Sequence, residues 1–185
     1  YFFDSVNTLP RLADPAQLPD DYRDARVQAV MRGAWEDTVA AANRHDDPGT
    51  FTALVAYEWS SWGIHRCVVY GSERAPEKPF KALDSNRPQD LWKTLEAERA
   101  AGIPVIAIPH NGNESTGRMY PASPIEGLEW TADEAALRRA IEPVSEIYQV
   151  KGSSETHPLL SPDDPFANFE IVDRTVLVDE EEDPS

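Results

Sequence analysis

Cysteine is nearly absent from this 185-residue chain, which contains only Cys67. A single cysteine excludes an internal disulfide and a zinc site built from several thiolates. We therefore interpret Cys67, which lies in an apolar run between Arg66 and Val68, as a small buried hydrophobic residue. A chain without disulfides can work on either side of a membrane, so the sequence leaves the compartment undetermined.

Long hydrophobic runs and basic clusters are also missing. No apolar segment approaches the roughly 20 residues that cross a bilayer, and residues 1–10 lack the basic start of a signal peptide. We therefore expect a soluble chain with no membrane partner. The 17 Lys and Arg residues are outnumbered by 33 Asp and Glu, giving a net charge of −16. Without a basic patch to contact a phosphate backbone, we expect no nucleic-acid partner.

The distribution of apolar and turn-forming residues predicts one α/β domain over residues 1–178. Residues 1–19, rich in Pro, Asp and Leu, are predicted to be an extended lead-in. The acidic run at 179–185 is predicted to be a disordered tail, because like charges repel and nothing apolar holds them. The domain itself is long enough to bury a hydrophobic core.

Helical and strand patterns alternate along the domain. Helical spacing and turn signals predict helices over residues 20–43, 88–102 and 131–143, the last with Thr131 and Glu134 as a capping box. Short apolar runs predict strands at residues 51–59, 65–70, 105–108 and 147–150. Such alternation favours a mostly parallel sheet covered by helices.

Acidic residues and histidines follow several of these apolar runs. Glu58 comes at the end of the first, His110 follows the third, and Glu155 and His157 follow the fourth in the string KGSSETHP. In parallel sheets the carboxyl ends of strands share one edge, where catalytic groups collect. His65, seven residues after Glu58, begins the second run and could return to the same edge.

Two imidazoles and a carboxylate are ligands that suit Zn, Mn or Fe. The spacing therefore predicts a divalent metal site formed by Glu58, His65 and His110, with an open position for a water whose pKa falls towards about 7. A structural interpretation stays open, because histidines at strand ends often make only hydrogen bonds and the loop NGNEST is typical of turns. No compact motif such as HExxH decides between the two.

Three strings carry a resemblance to a known family: FTALVAYEWSSWGIHRCVVYG, PQDLWKTLEAERAAGIPVIAIPHNGNESTGRMY and EPVSEIYQVKGSSETHPLLSPDDPFANFE. They resemble the central part of the DUF3604 family, an uncharacterised group similar to the polymerase-and-histidinol-phosphatase (PHP) metallohydrolases. The resemblance covers residues 37–170, and PHNGN and KGSSETHP are its most specific elements.

The resemblance implies part of a distorted (β/α)7-type barrel with metal ions at the carboxyl ends of its strands. Glu58, His65 and His110 match, in order, a glutamate and two histidines that bind metal in PHP enzymes. The implied activity is that of a metal-dependent hydrolase, in particular a phosphoesterase, which uses metal-activated water on a small anionic ester. Glu155 and His157 match a string characteristic of DUF3604 and are the predicted catalytic residues.

The chain also departs from the PHP pattern. PHP proteins carry an HxH strand near the start and a DxH pair near the end, and the four histidines of this chain form neither. The resemblance therefore implies a barrel incomplete at both ends, with low metal occupancy. It leaves open a second hypothesis, a catalytically silent structural or binding fragment that associates with itself or pairs with missing segments.

Overall fold

The computed structural model describes residues 24–61, 63–115, 117–121, 130–169 and 171. The predicted lead-in at 1–19 and the acidic tail at 179–185 lie outside the described residues. Within these ranges the helices are α1 (Ala25–His45), α2 (Pro88–Ala100) and α3 (Ala132–Ile141). The strands are β1 (Ala56–Trp59), β2 (Arg66–Tyr70), β3 (Val105–Pro109), β4 (Tyr148–Gln149) and β5 (Gly152–Ser153). None of the helices in the described ranges is long and apolar enough to cross a bilayer.

Local sequence signals determine where the helices begin and end. Pro88 opens α2, where its missing N–H costs nothing, and Gly102 follows the helix with a φ of 81°, a value that suits glycine. In α3 the Thr131 hydroxyl accepts the Glu134 N–H, and the Glu134 carboxylate accepts the Thr131 N–H. The capping box predicted from the sequence is therefore confirmed.

The main sheet has three strands in the order β1-β2-β3, and both pairs are antiparallel. The prediction of a mostly parallel (β/α)7-type barrel is therefore wrong for the described part of the chain. Only residues 60–65 separate β1 from β2, whereas a parallel crossover needs a dozen or more. The longer β2–β3 connection contains α2, and its two ends meet beside the sheet, where the Gly71 N–H donates to the Pro104 carbonyl at 2.9 Å.

The apolar run predicted as a strand at 147–150 does not join this sheet. Its central part forms β4, which pairs with β5 in a separate two-stranded antiparallel sheet. The loop after β3 contacts this hairpin through Asn113, whose side-chain amide donates to the Lys151 carbonyl at 2.9 Å. The Ser154 hydroxyl donates to the Asn113 side-chain oxygen at 3.1 Å, so the two loops are held together.

The two faces of the main sheet differ in burial. One face carries the core, where buried side chains of the sheet pack with residues of the helices; its members include Trp35, Trp59, Val68, Tyr70, Leu91, Trp92 and Leu95. On the other face, Glu58 lies opposite Cys67 and Cys67 opposite Ile108, and this face is only half buried. The alternation of side chains along a strand produces this division.

A charged network lies inside the core. The Glu142 carboxylate, only 3% exposed, accepts hydrogen bonds from Arg66 Nε at 2.8 Å, Trp92 Nε1 at 2.6 Å and Arg138 Nε at 3.0 Å. Burial lowers the pKa of the Arg66 guanidinium, and the charge of Glu142 opposes that change. The network ties β2 to α2 and to the end of α3.

Candidate metal centre

The antiparallel order of the sheet brings the three predicted metal ligands to one edge. β1 and β3 run in the same direction on either side of β2, so their carboxyl ends lie beside the amino end of β2. Glu58 is in β1, His65 immediately precedes β2, and His110 immediately follows β3. The His110 N–H donates to the His65 carbonyl at 3.2 Å, which extends the β2–β3 ladder to this point.

The three side chains converge closely. Glu58 Oε1 lies 2.9 Å from His65 Nδ1 and 3.7 Å from His110 Nε2. The two imidazole rings are nearly perpendicular, with centroids 5.7 Å apart. One possible ligand atom from each residue lies within 4.8 Å of the others. The Ser60 hydroxyl also donates to Glu58 Oε1 at 2.5 Å and helps to fix the carboxylate.

These distances fit a metal ion. Ligand atoms about 2.1 Å from a tetrahedral ion are about 3.4 Å from one another. The distances from Glu58 Oε1 to His65 Nδ1, 2.9 Å, and to His110 Nε2, 3.7 Å, lie on either side of that value. Two nitrogens and one oxygen suit Zn, Mn or Fe. The Glu58 side chain is 47% exposed and that of His110 11%, so the centre is open on the carboxylate side. The group can therefore hold a metal ion and leave a position for water.

Cys67 contacts the far side of the His110 ring. Its Sγ lies 3.5 Å from His110 Nδ1, while His110 Nε2 faces Glu58. A proton on Nδ1 would donate to the sulfur and leave the Nε2 lone pair directed at the site, which is the tautomer that a metal ligand requires. The sequence-based view of Cys67 as a buried hydrophobic residue missed this contact.

Mutual attraction shifts the protonation of the site. The imidazoles of His110 and His65 hold the pKa of the Glu58 carboxyl well below its ordinary value. Glu58 in turn raises the pKa of His110, and the charge of Glu146 adds to this effect. Burial, reinforced by the charges of Glu58 and Glu146, raises the pKa of the Cys67 thiol. The site therefore has a negative electrostatic potential, which attracts either a proton or a metal ion.

These shifts predict a pH window for the metal-free protein. The raised pKa of His110 stabilises the fold below the ordinary histidine value of 6.5, and this stabilisation is lost as pH rises through the shifted pKa. The lowered pKa of Glu58 stabilises the fold above pH 4.5, and this stabilisation is lost as pH falls through the shifted pKa. With EDTA, we expect the Tm of wild type to exceed that of Glu58→Gln by roughly 2–4 °C near pH 5.5, since a half-exposed pair contributes at most about 1 kcal/mol.

Thermal denaturation at pH 5.5 and pH 8 measures this difference. At pH 8 the difference should be smaller than at pH 5.5, because the imidazole of His110 loses its charge as pH rises through its raised pKa. A difference that grows from pH 5.5 to pH 8 would contradict the assigned shifts. Glu36→Gln, on the exposed surface of α1, provides the control for a general effect of removing one carboxylate.

The structure adds Glu146, which sequence reasoning did not select. Its carboxylate accepts the Asn111 N–H at 3.0 Å and two contacts from Gln149 Nε2, at 2.9 and 3.0 Å. The Glu146 N–H donates to the Pro109 carbonyl at 2.9 Å, which places this residue beside the end of β3. Its sequence signal was an acidic residue next to an apolar run, the same signal that pointed to Glu58.

Glu155 and His157 are placed differently from the metal ligands. Both are exposed and follow β5, and neither belongs to the group formed by Glu58, His65 and His110. The Glu155 N–H donates to Ser153 Oγ at 3.3 Å, and His157 Nδ1 accepts the N–H of Leu159 at 3.2 Å. Their catalytic role stays a prediction.

Comparisons with known proteins give one match. The model of a family described as "Protein of unknown function (DUF3604)" matches residues 5–184. No curated protein and no solved structure was found to match the chain. The family model covers nearly the whole sequence and includes every residue of the site.

Proposed function

The chain belongs to the DUF3604 family, and from the geometry of its site we propose that it forms the metal-binding part of a divalent-metal-dependent hydrolase, specifically a phosphoesterase. The convergence of Glu58, His65 and His110 at one open edge carries this proposal. Zn, Mn and Fe are the ions that the two imidazoles and the carboxylate favour. The choice of a phosphoester substrate depends on the resemblance of the sequence strings to PHP enzymes.

The side chains of the site have distinct roles in this proposal. Glu58 supplies the charged ligand, and Ser60 holds its oxygen in place. His110 contributes Nε2, with its ring oriented through the contact to Cys67, and His65 contributes Nδ1. A divalent ion held there would lower the pKa of a coordinated water towards about 7 and balance negative charge on the substrate. The exposed side of Glu58 is where the ester would approach.

Hydrolysis of p-nitrophenyl phosphate and its bis-ester by the full chain, with and without added Mn²⁺ or Zn²⁺, tests the activity. We expect metal-dependent turnover, removed by EDTA and restored by the metal. Glu58→Gln should lower kcat/KM by at least about 100-fold, because it removes the charged ligand. Glu36→Gln should not. Wild-type protein that binds metal but hydrolyses neither ester would refute the phosphoesterase part of the proposal.

A second candidate function, a catalytically silent binding or structural fragment, is favoured by the exposed apolar residues of the C-terminal half. Val150, Leu159 and Leu160 are 91%, 85% and 82% exposed, and large apolar side chains left in water favour association when they form a contiguous surface. Self-association, or pairing with a further segment, would cover them. Light scattering of an inactive, metal-free chain would support this function if it revealed oligomers, and a monomer would speak against it.

A further inference from the structure

The loop that follows His110 contains buried oxygen atoms without hydrogen-bond donors. Asn111 precedes a short 3-10 turn, Gly112–Glu114, and the side chains of Asn111 and Glu114 belong to residues that are only 4% and 6% exposed. Asn111 Oδ1 and both carboxylate oxygens of Glu114 are buried and have no hydrogen-bond partner among the described residues. Residues 111–114 therefore bury three acceptor oxygens that no donor in this part of the chain satisfies.

Burying acceptor oxygens without donors destabilises the fold unless another interaction compensates for the lost hydration. Moving an ionised carboxylate out of water costs far more free energy than moving a neutral polar group. Buried carboxylates are therefore paired with cations, hydrogen-bonded or bound to metal. No side-chain cation lies within ion-pair distance of Glu114 among the described residues. Glu146, which contacts the same loop, has its own donors in the Asn111 N–H and Gln149.

The local backbone brings these oxygens to the same turn. The Glu114 N–H donates to the Asn111 carbonyl at 3.1 Å, which holds the two residues at the two ends of this turn. Asn111 has a φ of 59° and a ψ of 35°, a left-handed conformation that Asn and Asp tolerate better than other residues with side chains. The turn is also held from outside by the Asn113–Ser154 hydrogen bonds.

We propose that Asn111 and Glu114 form a second cation site, distinct from the Glu58, His65 and His110 centre, which takes a hard divalent cation such as Ca²⁺. The reason is the donor set: an amide oxygen and a carboxylate suit Ca²⁺, whereas the two imidazoles of the first centre suit transition metals. Ca²⁺ accepts irregular geometry and completes its shell with backbone carbonyls and water. The site lies one residue beyond His110, so a cation there would also steady the loop that carries this ligand.

Titration calorimetry of the full chain with CaCl2, in chelator-treated protein, tests the proposal. We expect saturable binding of one Ca²⁺ with a Kd between roughly 0.1 and 1 mM, the range of sites with few charged ligands. Glu114→Gln should weaken binding at least about tenfold, because it removes the only charge. Asn111→Asp should tighten it, because it adds a charged oxygen at a position where the backbone accepts Asp.

Thermal denaturation provides an independent measurement. The buried Glu114 carboxyl group is expected to lower the Tm when Ca²⁺ is absent, whereas bound Ca²⁺ is expected to raise it. Without Ca²⁺, Glu114→Gln should melt at a higher temperature than wild type, because it removes a buried carboxyl group whose two oxygens have no hydrogen-bond donor among the described residues. With Ca²⁺ only wild type and Asn111→Asp should gain stability. Wild type that binds no Ca²⁺ up to roughly 10 mM would overturn the proposal. So would Glu114→Gln that binds as tightly as wild type. Co²⁺ binding to the first centre is measured separately and should persist in Glu114→Gln, so failure of either site is recognised independently.

Discussion

Replacing His110 with alanine is expected to lower the affinity of the chain for Zn²⁺ or Co²⁺ by at least about 100-fold. The proposed centre has three protein ligands, and the loss of one ligand removes more binding energy than the loss of an outer partner, which already costs about 10–100-fold. His110 is also the least exposed of the three side chains, at 11%, so water replaces it poorly. Binding is measured by calorimetry and by the visible absorption of bound Co²⁺.

The matched control is His45→Ala. His45 is an exposed histidine in the last turn of α1, outside the group formed by Glu58, His65 and His110, so its removal should leave metal affinity unchanged. Equal losses in His110→Ala and His45→Ala would indicate nonspecific binding by surface imidazoles. Equal affinity in wild type and His110→Ala would refute the metal centre.

Replacing Glu142 with alanine is expected to destabilise the fold by about 3–5 kcal/mol. The change leaves Arg66, with a side chain 1% exposed, without its carboxylate partner and removes the acceptor of Trp92 Nε1. For a chain of this length, that loss lowers the Tm by roughly 6–20 °C. Urea denaturation and calorimetry both measure it.

Two further variants show whether the unpaired charge is the cause. Glu96→Ala, on the exposed side of α2, removes a glutamate without opening the core and should change the Tm little. Arg66→Met combined with Glu142→Leu removes the two most buried charges and should restore part of the stability lost in Glu142→Ala, since Arg66 is then no longer a buried unpaired ion, while Arg138 is 20% exposed and stays partly solvated. A double variant less stable than Glu142→Ala would show that the pair itself contributes the stability.

The helices could be predicted from the sequence because their signals are local. Pro88, Gly102 and the Thr131–Glu134 pair act within one turn, and each appears in the structure where the sequence placed it. Strand direction has no such local signal, because an apolar run can have the same sequence whether its partner strand is parallel or antiparallel. The informative feature was the length of the β1–β2 connection, residues 60–65, which permits only a hairpin.

The site was predicted in part for the same reason. Glu58, His65 and His110 were selected because they border apolar runs, and they do meet, although through antiparallel rather than parallel strands. The unpartnered Glu114 carboxylate could not be predicted, because NGNEST is typical of an exposed turn and burial depends on the rest of the fold. Glu142 escaped notice because its partners lie 50 and 76 residues away in sequence.

The β1–β2 hairpin predicts the order in which the three candidate ligands come together during folding. Glu58 and His65 are seven residues apart and should meet when this hairpin closes, an event of microseconds. His110 should join them only when the chain has passed through α2 and added β3, and closing that longer loop costs more entropy. A metal ion bound by these residues would therefore have two ligands early and three late. We expect tight binding to report that the third strand has docked.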